Sequence, residues 1–342
     1  MIPLSVLDLA TVTTGSTPAR ALRETIDMSV VVEKLSYRRL WVAEHHAMPA
    51  VASSAPAVLI AHLADATSTL RVGSGGVMLP NHSPLVIAEQ FATLEALHPG
   101  RIDLGLGRAP GTDHRTARAL RRSGDLRAES FPDDVVELIG YLLPREGPAP
   151  HPFANPGSGY LPEVWLLGSS LFSAQLAGQL GLPFSFAYHF APKLLDEAVG
   201  AYRTMFRPSI LLGEPRVMVA ASVLCAPTLE EARWLSGSTA LSILQRRLGR
   251  MDLLASPEEA EAHAFSPEEL EVVEESMATH IIGDPASVRE GLAALQRRTG
   301  ADELMLSTRT HSYDARVASF TLLAEAWGLR ALTSPREGGA HD

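Results

Sequence analysis

Short apolar runs recur along the chain, and each predicts a buried β-strand. An uninterrupted run of apolar residues is typical of a strand that is covered on both faces, as in a parallel sheet. We predict eight such strands, near residues 2–8, 40–44, 70–78, 102–107, 164–167, 184–188, 217–225 and 304–307.

Helical spacing occupies the intervals between these runs. Leu22, Ile26 and Val30 recur every four residues, and Ile87 and Phe91 are followed by Leu94 in a four-three step. Strands that alternate with helices predict a parallel sheet with right-handed crossovers. Eight such units favour an α/β fold of the (β/α)8 TIM-barrel type, formed by one domain over residues 1–342.

Two stretches interrupt this rhythm. Residues 144–162 are rich in proline and glycine, which predicts an irregular excursion before the fifth strand. The interval from 227 to 301 is too long for one crossover helix. It contains Ser256-Pro257 and Ser266-Pro267, each followed by two glutamates, and this is helix-start chemistry. We therefore predict a helical insertion, over about 227–283, between the seventh and eighth strands.

Composition narrows the class of partner. The chain of 342 residues is 46% hydrophobic and carries a net charge of −10. This charge disfavours nucleic acid or an anionic membrane as the main partner, although a local patch of donors could still bind a phosphate. No apolar run approaches the length of about 20 residues that spans a bilayer, and the N-terminus lacks the basic region of a signal peptide. A cytoplasmic protein is expected, with the single cysteine, Cys225, in the core.

Titratable residues follow the second predicted strand. Glu44-His45-His46 comes directly after the apolar run, at the strand end where a barrel places its chemistry. Because neighbouring strand residues point to opposite faces, at most one of the two histidines can face a central pocket. These residues alone fit a hydrogen-bonded strand end as well as a functional site.

Glycines mark two further predicted strands. Gly75 and Gly76 lie inside the third predicted strand, where glycine indicates a bulge, a tight corner or a close approach by a ligand. Gly105-Leu106-Gly107-Arg108 begins like a dinucleotide fingerprint, but Pro110 replaces its last glycine. We therefore reject a Rossmann site and interpret Arg108 as a cation at the top of the fourth strand. Taken alone, Arg108 fits a structural salt bridge better than a binding site.

Serines follow the fifth predicted strand. Gly168, Ser169, Ser170 and Ser173 lie at the start of a helical stretch. Free backbone N–H groups, hydroxyls and the helix dipole favour an anion there. Simple helix capping explains the serines equally well, unless Arg108 faces the same rim.

The order of these segments resembles the bacterial luciferase-like family of flavin-dependent monooxygenases. The resemblance rests on the segments 41–46, 72–80, 99–108, 168–170, 181–183, 283–288 and 301–304, and it covers nearly the whole chain. It implies a (β/α)8 barrel with the flavin at the carboxyl ends of the strands.

Several residue roles follow from this resemblance. His45 matches the active-site histidine, and Gly75–Gly76 matches a bulge with a non-prolyl cis peptide beside the flavin ring. The serine group and Arg108 match the phosphate-binding positions. Light-emitting members have a cysteine where this chain has Gly107, so light emission is not expected. Apart from the resemblance, Glu44 and His189 are weaker candidates for the substrate pocket. Glu44 could instead orient the histidine pair, pair with a barrel arginine or serve a structural role.

The resemblance also implies a reaction. Reduced FMN, supplied by a separate reductase, would react with O2 to give a C4a-peroxide that oxygenates a small organic substrate, as in some natural-product pathways. A homodimer is expected. An F420-dependent hydride transfer is the main alternative, and a flavin-binding protein without turnover is another. A metal-dependent hydrolase using Glu44, His45 and His46 is disfavoured, because adjacent strand histidines rarely chelate one metal.

Overall fold

The computed structural model describes residues 1–109, 112–120, 129–147 and 151–329; Pro110 lies outside this range. Within these residues, nine strands form one parallel sheet. They are β1 (Leu4–Asp8), β2 (Arg39–Val42), β3 (Arg71–Met78), β4 (Ile102–Gly107), β5 (Glu163–Gly168), β6 (Phe184–Phe186), β7 (Val217–Cys225), β8 (Ile281–Gly283) and β9 (Glu303–Ser307).

Helices separate these strands. They are α1 (Pro18–Lys34), α2 (Pro56–Ala66), α3 (Pro84–Leu97), α4 (His114–Leu120), α5 (Phe131–Leu142), α6 (Leu171–Leu180), α7 (Leu195–Met205), α8 (Leu229–Arg247), α9 (Pro257–Glu261), α10 (Pro267–Met277), α11 (Pro285–Thr299) and α12 (Tyr313–Trp327). None of the helices in the described ranges is long and apolar enough to cross a membrane.

Eight of the strands close into a barrel. The hydrogen-bonded order runs from β1 through β6 to β7, then to β9 and back to β1. The predicted (β/α)8 barrel is therefore confirmed. β8 stands outside the ring and extends the sheet from the end of β7, where Val223 pairs with Ile281. The apolar pattern did not predict this three-residue strand.

The long interval before β9 folds as helices. α8, α9, α10 and β8 lie between β7 and α11. Both predicted helix starts are confirmed: Ser256 and Ser266 each form a capping box with a glutamate three residues later. The described residues of the predicted excursion, 144–147 and 151–162, contain neither helix nor strand.

The strand residues alternate between two apolar clusters. Leu40 and Val42 pack outward against the helices, whereas Trp41 packs inside the barrel against Trp165 in an edge-to-face contact of 5.6 Å. Neighbouring side chains of a strand point to opposite faces, so an uninterrupted apolar run serves both clusters. Cys225 lies in the outer cluster, as predicted.

A buried ion cluster closes the bottom of the barrel. The Arg39 guanidinium, which is fully buried, lies 2.7 Å from an Asp103 oxygen and 2.8 Å from a Glu303 oxygen. Burial lowers the pKa of Arg39, but the neighbouring carboxylates more than offset this and raise it. Arg39 and Glu303 each begin a strand, so the charges fill the amino ends and leave the carboxyl ends open.

Candidate active site

A cavity of about 350 Å³ opens at the carboxyl ends of the barrel strands. Its floor is the inner apolar cluster, including Leu7, Trp41 and Met305. The residues predicted from the sequence as catalytic or cofactor-binding all lie in its wall: His45, Gly75, Gly76, Arg108, Gly168, Ser169, Ser170 and Ser173.

The side chains of His45 and His46 point in different directions directly after β2. His45 lines the cavity, and its backbone N–H donates a 3.0 Å hydrogen bond to the Ser53 carbonyl. The Ser53 hydroxyl in turn donates to the Ala43 carbonyl at 2.6 Å. This brace holds the segment after β2 and directs His45, rather than His46, to the cavity.

Glu44 lies behind the cavity wall rather than in it, so the structure does not support its weak assignment to the substrate pocket. Its fully buried carboxylate is 2.8 Å from His46 Nε2 and 2.7 Å from His82 Nε2, and it accepts a bond from the Met78 N–H. Burial raises the pKa of Glu44, but these hydrogen bonds outweigh burial and lower it. Glu44 therefore orients His46 and fixes the end of β3.

The third strand bulges at the predicted place. The pairing of β3 with β4 shifts between Ser74 and Val77, and the Gly75–Gly76 peptide bond is cis. A Cβ on Gly75 would lie 2.8 Å from Leu7 Cδ1, and one on Gly76 would lie 2.7 Å from the Gly105 carbonyl oxygen. Side chains are thus excluded, and bare backbone forms this part of the wall.

Arg108 faces the same rim as the serine turn. Its guanidinium carbon lies 4.3 Å from the centre of the Phe172 ring, in the first turn of α6. Ser170 is the N-cap of α6, but its side chain makes no capping bond. Among the described helices, α2, α3, α5 and α7 also lack a capping bond from the N-cap side chain, whereas six others have one, from Thr17, Thr228, Ser256, Ser266, Asp284 and Ser312. The first-turn N–H groups of α6 therefore remain available to a ligand beside a cation.

Comparison with known proteins identifies the family. The model for luciferase-like monooxygenases matches residues 2–303. The chain belongs to the luciferase-like monooxygenases. It is 48% identical over 323 residues to a luciferase-like monooxygenase of Escherichia coli K12, covering 94% of this chain and 96% of that protein. It is 33% identical over 333 residues to the N-acetyl-S-alkylcysteine monooxygenase of Bacillus subtilis, covering 95% and 98% of the two chains.

A solved structure has the same fold. The crystal structure of apo-MsnO8 matches with a TM-score of 0.88 and 36% identity, and the match covers 97% of this chain and all of that one. The barrel and its opening at the strand ends are therefore those of a luciferase-like monooxygenase, and an oxidoreductase activity is assigned with the family.

His189 also lines the cavity of this luciferase-like barrel. Its Nδ1 lies 3.2 Å from the Ala220 carbonyl oxygen, which can only accept, so Nδ1 carries the proton and Nε2 is an acceptor. Burial lowers the pKa of His189 to about 4, and repulsion from His280 and His45, when these are protonated, acts in the same direction. His189 is consequently neutral at physiological pH.

A metal-dependent hydrolase would need several metal-binding side chains close together. Within the described ranges, no group of three or more His, Cys, Asp or Glu side chains could hold a metal ion. His45 faces the cavity, whereas His46 and His82 both turn to Glu44. The three residues after β2 thus do not converge on one point.

Sequence reasoning missed part of the wall. Leu7, Trp41 and Met305 form the apolar floor. The only sequence signal for them was their alternate position within the apolar runs, which places their side chains on the inner face of the barrel. Arg309, after β9, was also missed. It lines a side chamber together with residues of the insertion, and no spacing along the chain connects these two segments.

Proposed function

We propose that this protein is a flavin-dependent monooxygenase that uses reduced FMN and O2 to oxygenate a small organic substrate. One observation carries the proposal. A bare backbone wall at Gly75–Gly76, a cation at Arg108 and an uncapped helix start at Ser170 all face one cavity that also contains His45. These are the features that a flat ring, a phosphate and a proton-transfer step require.

The phosphate would bind at the rim formed by Arg108 and the serine turn. The first-turn N–H groups of α6 and the helix dipole favour an anion, and a guanidinium adds charge-assisted hydrogen bonds. The ring would lie against Gly75 and Gly76, where no Cβ intervenes. Reduced FMN, when bound, supplies the electrons that activate O2.

The histidines would divide the proton chemistry. His45 would donate or accept a proton near the flavin, since imidazole has an unperturbed pKa of about 6.5. His189, held neutral with a free acceptor at Nε2, would orient the substrate by accepting a hydrogen bond. The floor of Leu7, Trp41 and Met305 would exclude water from the reacting groups.

A separate flavin reductase is expected to supply the reduced cofactor, because the chain carries no dinucleotide fingerprint. A homodimer, and a place in a natural-product pathway, remain predictions. The substrate named for the Bacillus subtilis relative, an N-acetyl-S-alkylcysteine, is the first compound to assay.

The test begins with binding titrations of the wild-type protein. We expect FMN to bind and F420 to bind weakly; the reverse preference would favour hydride transfer on F420. The protein is then loaded anaerobically with reduced FMN and mixed with O2. Reoxidation that differs from that of free FMN, and that changes in His45→Ala, supports the proposal. Identical reoxidation with free, wild-type and variant samples would refute the role of His45.

A further inference from the structure

A second chamber opens beside the main cavity. It has a volume of about 130 Å³ and shares Leu9 and His45 with the main cavity, so the two spaces meet at the proposed proton-transfer residue. Apolar side chains, including Met48, Val51 and Met251, form much of its wall.

Three arginines give this chamber its charge. Arg246 lies near the end of α8, Arg250 follows that helix, and Arg309 follows β9. Asp252 is the acidic residue in the same wall. Across the part of the chain that the structure describes, no carboxylate lies within 4.0 Å of any of the three guanidinium groups.

The protein satisfies only part of the hydrogen-bonding capacity of the Arg309 guanidinium. One terminal nitrogen lies 3.3 Å from the Ser242 hydroxyl, while its buried Nε has no hydrogen-bond partner. Burial lowers the pKa of Arg309 to about 10, and the charge of Arg246 adds to this effect. The guanidinium is thus charged at neutral pH but lacks a counter-ion, and a bound anion would supply one.

This cationic site is distinct from the rim that contains Arg108. Arg108 follows β4, whereas Arg309 follows β9, and in the closed ring these strands stand four places apart, on opposite sides of the mouth. A flavin phosphate beside α6 would therefore leave the second site to another molecule.

We propose that the arginine chamber, formed by Arg246, Arg250 and Arg309, binds the carboxylate of an acidic substrate whose apolar body extends past His45 into the main cavity. A planar guanidinium matches a carboxylate with two parallel hydrogen bonds. The apolar walls of both spaces suit the body of such a molecule. This inference names the substrate class and rests on the proposed function.

The test uses calorimetric titration of the flavin-free full chain with phenylalkanoates, from phenylacetate to phenylhexanoate, and with their uncharged amides. At least one acid is expected to bind about tenfold or more tightly than its amide. Arg309→Met should remove this preference, and Arg309→Lys should restore part of it. Arg247→Met changes the same charge at an exposed position outside the chamber, and it should leave the preference intact.

Two results would overturn the inference. The first is that no acid binds better than its amide. The second is that Arg309→Met and Arg247→Met weaken binding of the acid equally, which would indicate a general charge effect. FMN titration of the wild type and the same variants separates this question from the proposed function. Normal FMN binding without a preference for the acid would refute the chamber proposal alone. Absence of FMN binding by the wild type would refute the flavin proposal.

Discussion

Arg108 allows phosphate recognition to be separated from ring recognition. Its guanidinium lies 4.3 Å from the Phe172 ring and borders the cavity next to the start of α6. A hydrogen bond to a charged group contributes about 1.5–3 kcal/mol, and about 1.4 kcal/mol is a factor of ten in affinity. We therefore expect Arg108→Met to weaken FMN binding by about tenfold to a hundredfold. Riboflavin has the same ring but no phosphate, so its affinity should stay nearly unchanged.

The assay is quenching of flavin fluorescence, titrated with FMN and riboflavin in parallel. Arg115→Met is the matched control, because Arg115 is exposed on α4 and the variant has the same net charge. If Arg108→Met weakens both flavins equally, Arg108 supports the site structurally rather than binding phosphate. If neither affinity falls, the phosphate binds elsewhere and the orientation proposed for the flavin is wrong.

Three other predictions follow from the geometry of the site. Gly76→Ala should destabilise the protein by about 1–3 kcal/mol in urea unfolding and weaken FMN binding. The reason is that its Cβ would lie 2.7 Å from the Gly105 carbonyl oxygen. Gly140→Ala, in open space on α5, should neither destabilise the protein nor weaken FMN binding. Glu44→Gln should cost about 1–3 kcal/mol of unfolding free energy, since it weakens the bonds from His46 and His82; an unchanged unfolding midpoint would contradict this. Acidification should also destabilise the fold, because burial lowers the pKa of His189 and of His280 to about 4 while the unfolded chain takes up these protons near pH 6.5. The loss, roughly 3 kcal/mol for each histidine, should develop as the pH falls from 6.5 to 4 and should shrink in His280→Gln; equal pH slopes in wild type and variant would count against it.

The barrel was predictable because its signal is local and repeated. Each apolar run corresponds to one barrel strand, and 102–107 and 217–225 match their strands residue for residue. Strand ends were less well defined: the run 184–188 yields only Phe184–Phe186, because the chain turns away after Phe186. The short β8 was missed since three residues carry too little pattern to be recognised.

Helix faces were predicted unevenly. Ile87, Phe91 and Leu94 are all buried on α3. On α1, by contrast, the regularly spaced Leu22 and Ile26 are only partly buried, and Thr25 and Ser29 lie in the buried face. Thr25 donates a hydrogen bond to Asp8 Oδ1 at 2.9 Å, so the buried face of this helix combines a polar tertiary contact with the apolar Met28 and Val32.

Long-range electrostatics lay beyond the sequence pattern. Arg39 follows no motif, and its partners Asp103 and Glu303 are 64 and 264 residues away. Only barrel closure brings the starts of three strands together at one point. Once the charges are there they must be paired, because an isolated buried charge is very costly. This requirement explains why Arg39 has two close carboxylate partners.

Arg39 and Arg309 differ in how their charges are paired. The Arg39 side chain is fully buried and the Nε of Arg309 is buried, yet Arg39 has carboxylates at 2.7 Å and 2.8 Å, whereas Arg309 has a serine hydroxyl at 3.3 Å. The same chain therefore pairs a buried cation fully where the barrel is sealed and leaves one largely unpaired where the barrel opens. An unpaired cation costs stability, and such a cost is retained at sites where a ligand completes the pairing. Arg309 lies after β9 and contacts Ser242 of α8, in the insertion. Under the two proposals, the insertion would select the substrate, while the ends of β3, β4 and β5 would hold the cofactor.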